Sequence, residues 1–166
     1  MQGENRFIRF CNDFLETFVL HAVASHFSNG LVPVALLFIL LFVLTGNPHF
    51  EHTVVHLLFV ALVMVPVSFV SGVRDWRRNF NGGRAPIFYK KIKLSGLLFF
   101  LLGSAGSIRL FAPSVMVRQG MVRWVYLGCL FLSLPIVVML GHYGGKLAYR
   151  WKRTSLGAKR ESDSTS

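Results

Sequence analysis

The chain is 166 residues long, 53% hydrophobic and only 15% charged, with a mean hydropathy of +0.52 and a formal net charge of +11. A soluble domain carries about 25% charged residues, and here the apolar residues come in long blocks rather than scattered as a core would scatter them. Composition therefore reads as an integral membrane protein.

A span needs about 20 apolar residues to cross ~30 Å of hydrocarbon. The stretch before the first such block contains Glu4, Asp13 and Glu16. It reads as an amphipathic lead-in (FLETFVLHAV) and not as a cleavable signal. The first span is expected at about Phe27–Gly46 and the second at about Thr53–Val73. Between them, Asn47-Pro48 reads as the N-cap and first position of a helix. Asn81-Gly82-Gly83-Arg84 reads as a turn in the middle loop. The third span is expected at about Leu94–Pro113, with Gly96, Gly103 and Ser107 along one helical face, and the fourth at about Val122–Ala148. Pro33, Pro66 and Pro135 fall inside spans, where neighbouring helices tolerate them. The fold class is thus all-α, an integral membrane four-helix bundle. Residues 1–150 form one transmembrane domain, and 151–166 a basic, disordered tail.

Charge sets the orientation. Of the 18 basic residues, only Arg109, Arg118 and Arg123 fall on one side of this layout; the other 15 share the side of both termini and the middle loop. The positive-inside rule makes that side cytoplasmic. Trp76, Trp124, Tyr149 and Trp151 sit at boundaries, as an aromatic belt would place them. The partners this implies are membrane lipids, their anionic headgroups included, and not nucleic acid, which needs a soluble basic face with stacking aromatics.

Enzyme signatures are missing: there is no phosphate loop, no G-x-S-x-G and no H-E-x-x-H. Cys11 and Cys129 are isolated, so neither a disulfide framework nor a zinc site follows. No Asp or Glu falls inside the four expected spans, which argues against a proton or cation path.

The polar residues left at membrane depth are histidines. His26 opens span one, and about 20 residues (~30 Å) separate it from the far end of that span. His142 lies about one turn before Lys146 near the end of span four. Two histidines on antiparallel helices therefore reach the same depth, near the inner boundary. Such a pair suits the axial ligation of a b-type haem buried in an apolar bundle. Gly141, Gly144 and Gly145 beside His142, and Ser25, Ser28 and Gly30 beside His26, leave space for the macrocycle, while Arg74 and Lys146 are candidate partners for its propionates. The same residues also fit tight helix packing, with both imidazoles bonded to backbone or headgroups. His49, His52 and His56 recur on one face of the second helix. Only His56 is expected within the bilayer. It suits a second haem, a quinol-oxidising site or a metal shared with His52, or else the three form a solvated helix start. His21 has no partner that spacing nominates.

His21-x4-His26-Phe27 opening span one, Gly72-Val73-Arg74-Asp75-Trp76 closing span two and Gly144-Gly145-Lys146-Leu147-Ala148-Tyr149-Arg150 closing span four together resemble a known pattern. It is that of a family of small bacterial four-helix membrane proteins, catalogued as domain-of-unknown-function family 2231. The resemblance covers about residues 20–150. It implies a multi-pass protein of the bacterial inner (cytoplasmic) membrane and carries no activity. Ala22, Ser28 and Lys93 depart from the family pattern, which has Pro, Pro and often His at those places.

Two functions remain from the residues. One is a cytochrome b-like electron-transfer subunit linked to the quinone pool, with a redox partner. The other is a non-redox structural or accessory subunit of a larger complex.

Overall fold

The computed structural model describes residues 19–79 and 86–164. Four helices follow one another: α1 (Val19–Thr45), α2 (Pro48–Asn79), α3 (Pro86–Phe111) and α4 (Met121–Ser164). No strand occurs among the described residues. Each helix contains a stretch long and apolar enough to cross a membrane, at Leu20–Thr45, Pro48–Arg77, Ile87–Phe111 and Met121–Lys146. At 1.5 Å per residue these run ~37–45 Å, more than the ~30 Å of hydrocarbon. The protein is an all-α integral membrane bundle.

The helices are antiparallel and arranged as a ring. α1 packs most extensively on α2, α3 packs on α4, and the α2–α3 and α1–α4 contacts close the ring, while the backbones of diagonal helices stay apart. The buried positions show how. On α2 they are Val54, Leu58, Ala61 and Val65; on α3, Leu98, Leu102 and Ala105; on α4, Tyr126, Leu130, Ser133 and Val137. Offsets of four, seven and eleven residues keep one narrow stripe pointing inward. Small residues on these stripes let the helices approach closely, the usual basis of packing inside lipid. The outward faces are apolar too: Phe100 is 68% exposed and Phe111 85%. A soluble bundle would put charge there, so this exposure belongs to lipid contact.

The helix ends differ from the sequence expectation. α1 is already helical at Val19, so His26 lies two turns inside it, whereas α2 starts at Pro48 as Asn47-Pro48 announces, ahead of the span expected from Thr53. Backbone hydrogen bonding does not stop where apolar residues do, and a helix keeps its geometry through a polar turn. The connection itself is as expected. Gly46 adopts φ 68°, and its N–H bonds to the Phe42 carbonyl at 2.8 Å, ending α1. The Asn47 side chain accepts from the His49 N–H at 3.0 Å, capping α2. α4 continues to Ser164 in place of the expected disordered tail. The Gly96–Gly103–Ser107 face is only partly a packing face. Gly103 approaches Leu62, whereas Gly96 and Ser107 are exposed. The Asn81–Arg84 turn, Cys11 and most of the N-terminal lead-in lie outside the described residues.

Candidate functional site

Polar side chains gather at the two ends of the bundle, and the core between them is apolar apart from Ser133, which bonds to the Leu130 carbonyl of its own helix. At the basic end, the decisive residue is His21. α1 and α2 run antiparallel, so the start of α1 meets the last turns of α2. The His21 Nδ1–H donates to the Ser68 carbonyl at 2.9 Å, with the Ser71 hydroxyl oxygen 3.4 Å away. The Ser71 hydroxyl donates to the Val67 carbonyl at 2.7 Å. The imidazole can come this close to the α2 backbone because residue 72 is glycine. A Cβ there would come within 2.7 Å of the ring's Cε1 and 3.0 Å of Nδ1, closer than a side chain tolerates. Gly72 is a cradle for His21.

Beside this contact is a cleft of about 360 Å³. Pro66, Val67 and Val70 form its apolar wall, while His21, Ser71, Arg74 and Asp75 meet at its polar end. Val70 is 66% exposed, so the cleft opens sideways toward lipid. Trp76, next to Asp75, packs on Phe88 at 5.5 Å and ties this end of α2 to the start of α3.

The expected pair lies on the other flank of α1. A Cβ on Gly141 would lie 4.0 Å from the Asn29 Nδ2. That contact brings α4 to α1 one turn from His26 and one residue from His142, so the two histidines do share a level. Both are exposed. His142 packs at a tilt against Tyr143 at 5.7 Å, and Lys90 lies over the Tyr143 ring at 5.9 Å, linking α4 to α3. Gly30, Gly144 and Gly145 have nothing within 4 Å of where a Cβ would stand. Between the helices the core is filled by side chains such as Leu36, Ile39 and Leu130. Both histidines therefore stand on the outer side of the α1–α4 contact and not among the packed core side chains. Lys146 lies on the helix of His142, one turn beyond it. Arg74 does not share this flank, because it lines the cleft on the opposite flank of α1.

At the other end of the bundle, Glu51 is buried in α2 and receives two hydrogen bonds from Arg109 of α3, at 2.5 and 3.0 Å. Spans were expected to lack acidic residues. The longer α2 brings Glu51 and Asp75 within its apolar stretch, and Glu51 is there as half of an ion pair. Tyr126 of α4 is fully buried near this pair, and its hydroxyl has no partner. Val115 and Met116 from the α3–α4 connection are buried as well. His49, His52 and His56 are all exposed. The His56 Nδ1–H donates to the His52 carbonyl at 2.9 Å, and the two rings lie 5.5 Å apart. No group of three or more metal-ligating side chains occurs among the described residues.

His21 is the site residue that spacing missed. The signal was present in two motifs quoted separately: His21 of the first and Gly72 of the second are one contact in space.

No curated protein and no solved structure matches the chain. One family model, described as predicted membrane protein (DUF2231), matches residues 17–155. That stretch takes in all four membrane-spanning segments, from His21 to the glycines that follow His142, and the chain therefore belongs to the predicted membrane protein family DUF2231.

Proposed function

We propose that this protein is a membrane-embedded, b-type cytochrome-like electron-transfer subunit linked to the quinone pool of a bacterial inner membrane, both termini cytoplasmic. The observation that carries the reading is the level match of His26 and His142 across the α1–α4 contact. Two exposed imidazoles stand there beside three glycines whose side-chain space is empty. Polar rings near the edge of the hydrocarbon are costly without a partner, and the iron of one haem b would supply one to each.

The residues fit such a group in a particular way. His26 and His142 would hold the iron, and Lys146 would neutralise a propionate by a charge-assisted contact. The iron, when bound, exchanges single electrons at a potential set by its ligands and burial. Because both imidazoles face outward, the remaining wall of the site belongs to a partner subunit or a second copy. The orientation follows from the basic residues gathered at one end of the bundle.

A visible absorption spectrum of the protein purified in mild detergent tests this. A reduced α-band should be present, and His26→Ala or His142→Ala should each remove it without loss of helical content. A colourless wild-type protein would sink the cytochrome reading. The structural or accessory subunit would then take its place, favoured by the many large apolar side chains exposed on all four helices. A transporter gains little from the buried Glu51, since Arg109 already neutralises it.

A further inference from the structure

Three histidines at the start of α2 have no role in the proposed haem ligation. His49, His52 and His56 are all exposed, at the end of the bundle opposite His26 and His142. The α2 span is ~15 Å longer than the hydrocarbon, and His52 and His56 stand ~6 and ~12 Å from its start, where ions reach from water. Glu51 shares this end, but Arg109 occupies both of its carboxylate oxygens. The groups left to meet a ligand are imidazoles.

His52 and His56 are four residues apart, so they stand one above the other on one face of the helix. Their ring centres lie 5.5 Å apart. A metal ~2.0–2.1 Å from one nitrogen of each ring is ~3.2 Å from each ring centre, and a tetrahedral angle then sets the centres ~5.2 Å apart. The two rings are within a few tenths of an ångström of that spacing, and exposed side chains can close it.

His56 is also prepared for ligation. Its Nδ1–H donates to the His52 carbonyl at 2.9 Å, since a carbonyl only accepts. The proton held on Nδ1 leaves the Nε2 lone pair of the neutral ring bare. Metal-ligating histidines make the same kind of bond from their other nitrogen, which fixes tautomer and ring orientation. The positive end of the helix dipole acts mainly within the first turn, and His56 stands beyond it.

The donor set selects the ligand. Imidazole suits zinc, copper, nickel and iron, whereas magnesium, calcium and manganese prefer carboxylate and carbonyl oxygen. No group of three ligating side chains forms among the described residues, so His49 does not complete a closed site. Two protein ligands leave the remaining positions to water or an incoming ligand, unlike the four of a structural zinc site.

We infer that His52 and His56 form an open binding site for a divalent transition metal of the zinc and copper kind. It does not rest on the haem reading. Calorimetric titration of tag-free protein with zinc chloride, in nanodiscs of uncharged phosphatidylcholine, tests it. One saturable site is expected. His52→Gln and His56→Gln should each weaken it by ~10-fold or more, since even a lost outer-shell partner costs ~10–100-fold. Both positions are exposed, and circular dichroism should show unchanged helix. His49→Gln and the double variant His26→Ala/His142→Ala should leave zinc binding unchanged, and magnesium chloride should give no saturable heat. Zinc affinity that survives both His52→Gln and His56→Gln would overturn the site. So would its loss in His26→Ala/His142→Ala, which would move the metal to the other end of the bundle. A haem band without His52-dependent zinc binding would sink this site and keep the haem; a colourless protein that binds zinc through His52 and His56 would do the reverse.

Discussion

Substituting Gly72 by alanine probes the His21 contact with one methyl group. In an ordinary helix interior this change is favourable by ~0.5–1 kcal/mol, because glycine gives up more backbone freedom on folding. Here the new Cβ would stand 2.7 Å from Cε1 and 3.0 Å from Nδ1 of His21. The ring cannot swing away freely, since its Nδ1–H is bonded to the Ser68 carbonyl. Forcing a methyl into such a contact costs ~1–3 kcal/mol, and breaking the hydrogen bond adds ~0.5–1.5 kcal/mol. After the helix gain is subtracted, Gly72→Ala should destabilise by ~0.5–4 kcal/mol. Gly96→Ala is the control, at an exposed position on α3 with nothing within 4 Å, and should stabilise by up to ~1 kcal/mol. Urea or thermal unfolding in detergent, followed by circular dichroism, reads both. In a His21→Ala background the Gly72→Ala penalty should vanish, because the atom it collides with is gone. If Gly72→Ala raised the midpoint as Gly96→Ala does, the cradle would not exist.

Arg109→Gln leaves the Glu51 carboxylate buried with its charge unpaired and should cost ~3–5 kcal/mol in the same assay. The double variant Glu51→Gln/Arg109→Gln should recover most of that loss, and equal losses in single and double variants would argue against the pairing. Tyr126→Phe removes a buried hydroxyl that has no partner and should be neutral or stabilising; a clear loss would mean that the hydroxyl is satisfied by water. For orientation, a cysteine replacing the exposed Gln119 should react with an impermeant thiol reagent in intact cells, and one replacing Arg77 should not, with Cys11 and Cys129 first removed. The opposite labelling pattern would invert the topology.

The bundle is legible in the sequence because each helix carries its own signal. Twenty apolar residues need no neighbour to announce a span, and Asn47-Pro48 announces a cap that Asn47 then makes with the His49 N–H. What joins the helices is less legible. His21 and His26 are five residues apart, about 140° around a helix, so one spacing sends them to different neighbours and gives no hint which. The Ser68 carbonyl that orients His21 is a backbone group, identical at every position of a sequence. Glu51 was placed outside the second span because hydrophobicity fades there, yet the helix does not end where hydrophobicity fades. Only the antiparallel pairing of α2 and α3 sets Glu51 opposite Arg109, 58 residues away. The motif Gly72-x-x-Asp75-Trp76 was visible, but its purpose needed the imidazole that rests on it.

α1 is the helix on which the His21 contact and the proposed haem ligation meet. Its two flanks serve different grooves: His21 faces α2 and the cleft, and Asn29, one turn beyond His26, faces Gly141 of α4. Along the axis His21 and His26 are ~7.5 Å apart, and across it the two grooves are separated by about one helix width, ~10 Å. The same geometry explains why the polar contacts of α1 are spent on holding α2. The Ser68 bond and the bare Gly72 backbone fix the rotation of α1 about its own axis, and that rotation decides where His26 points. A variant that releases His21 should therefore disturb the His26 side as well, so the spectral effect of Gly72→Ala, on a residue that touches neither His26 nor His142, is the measurement that would tie the two flanks together.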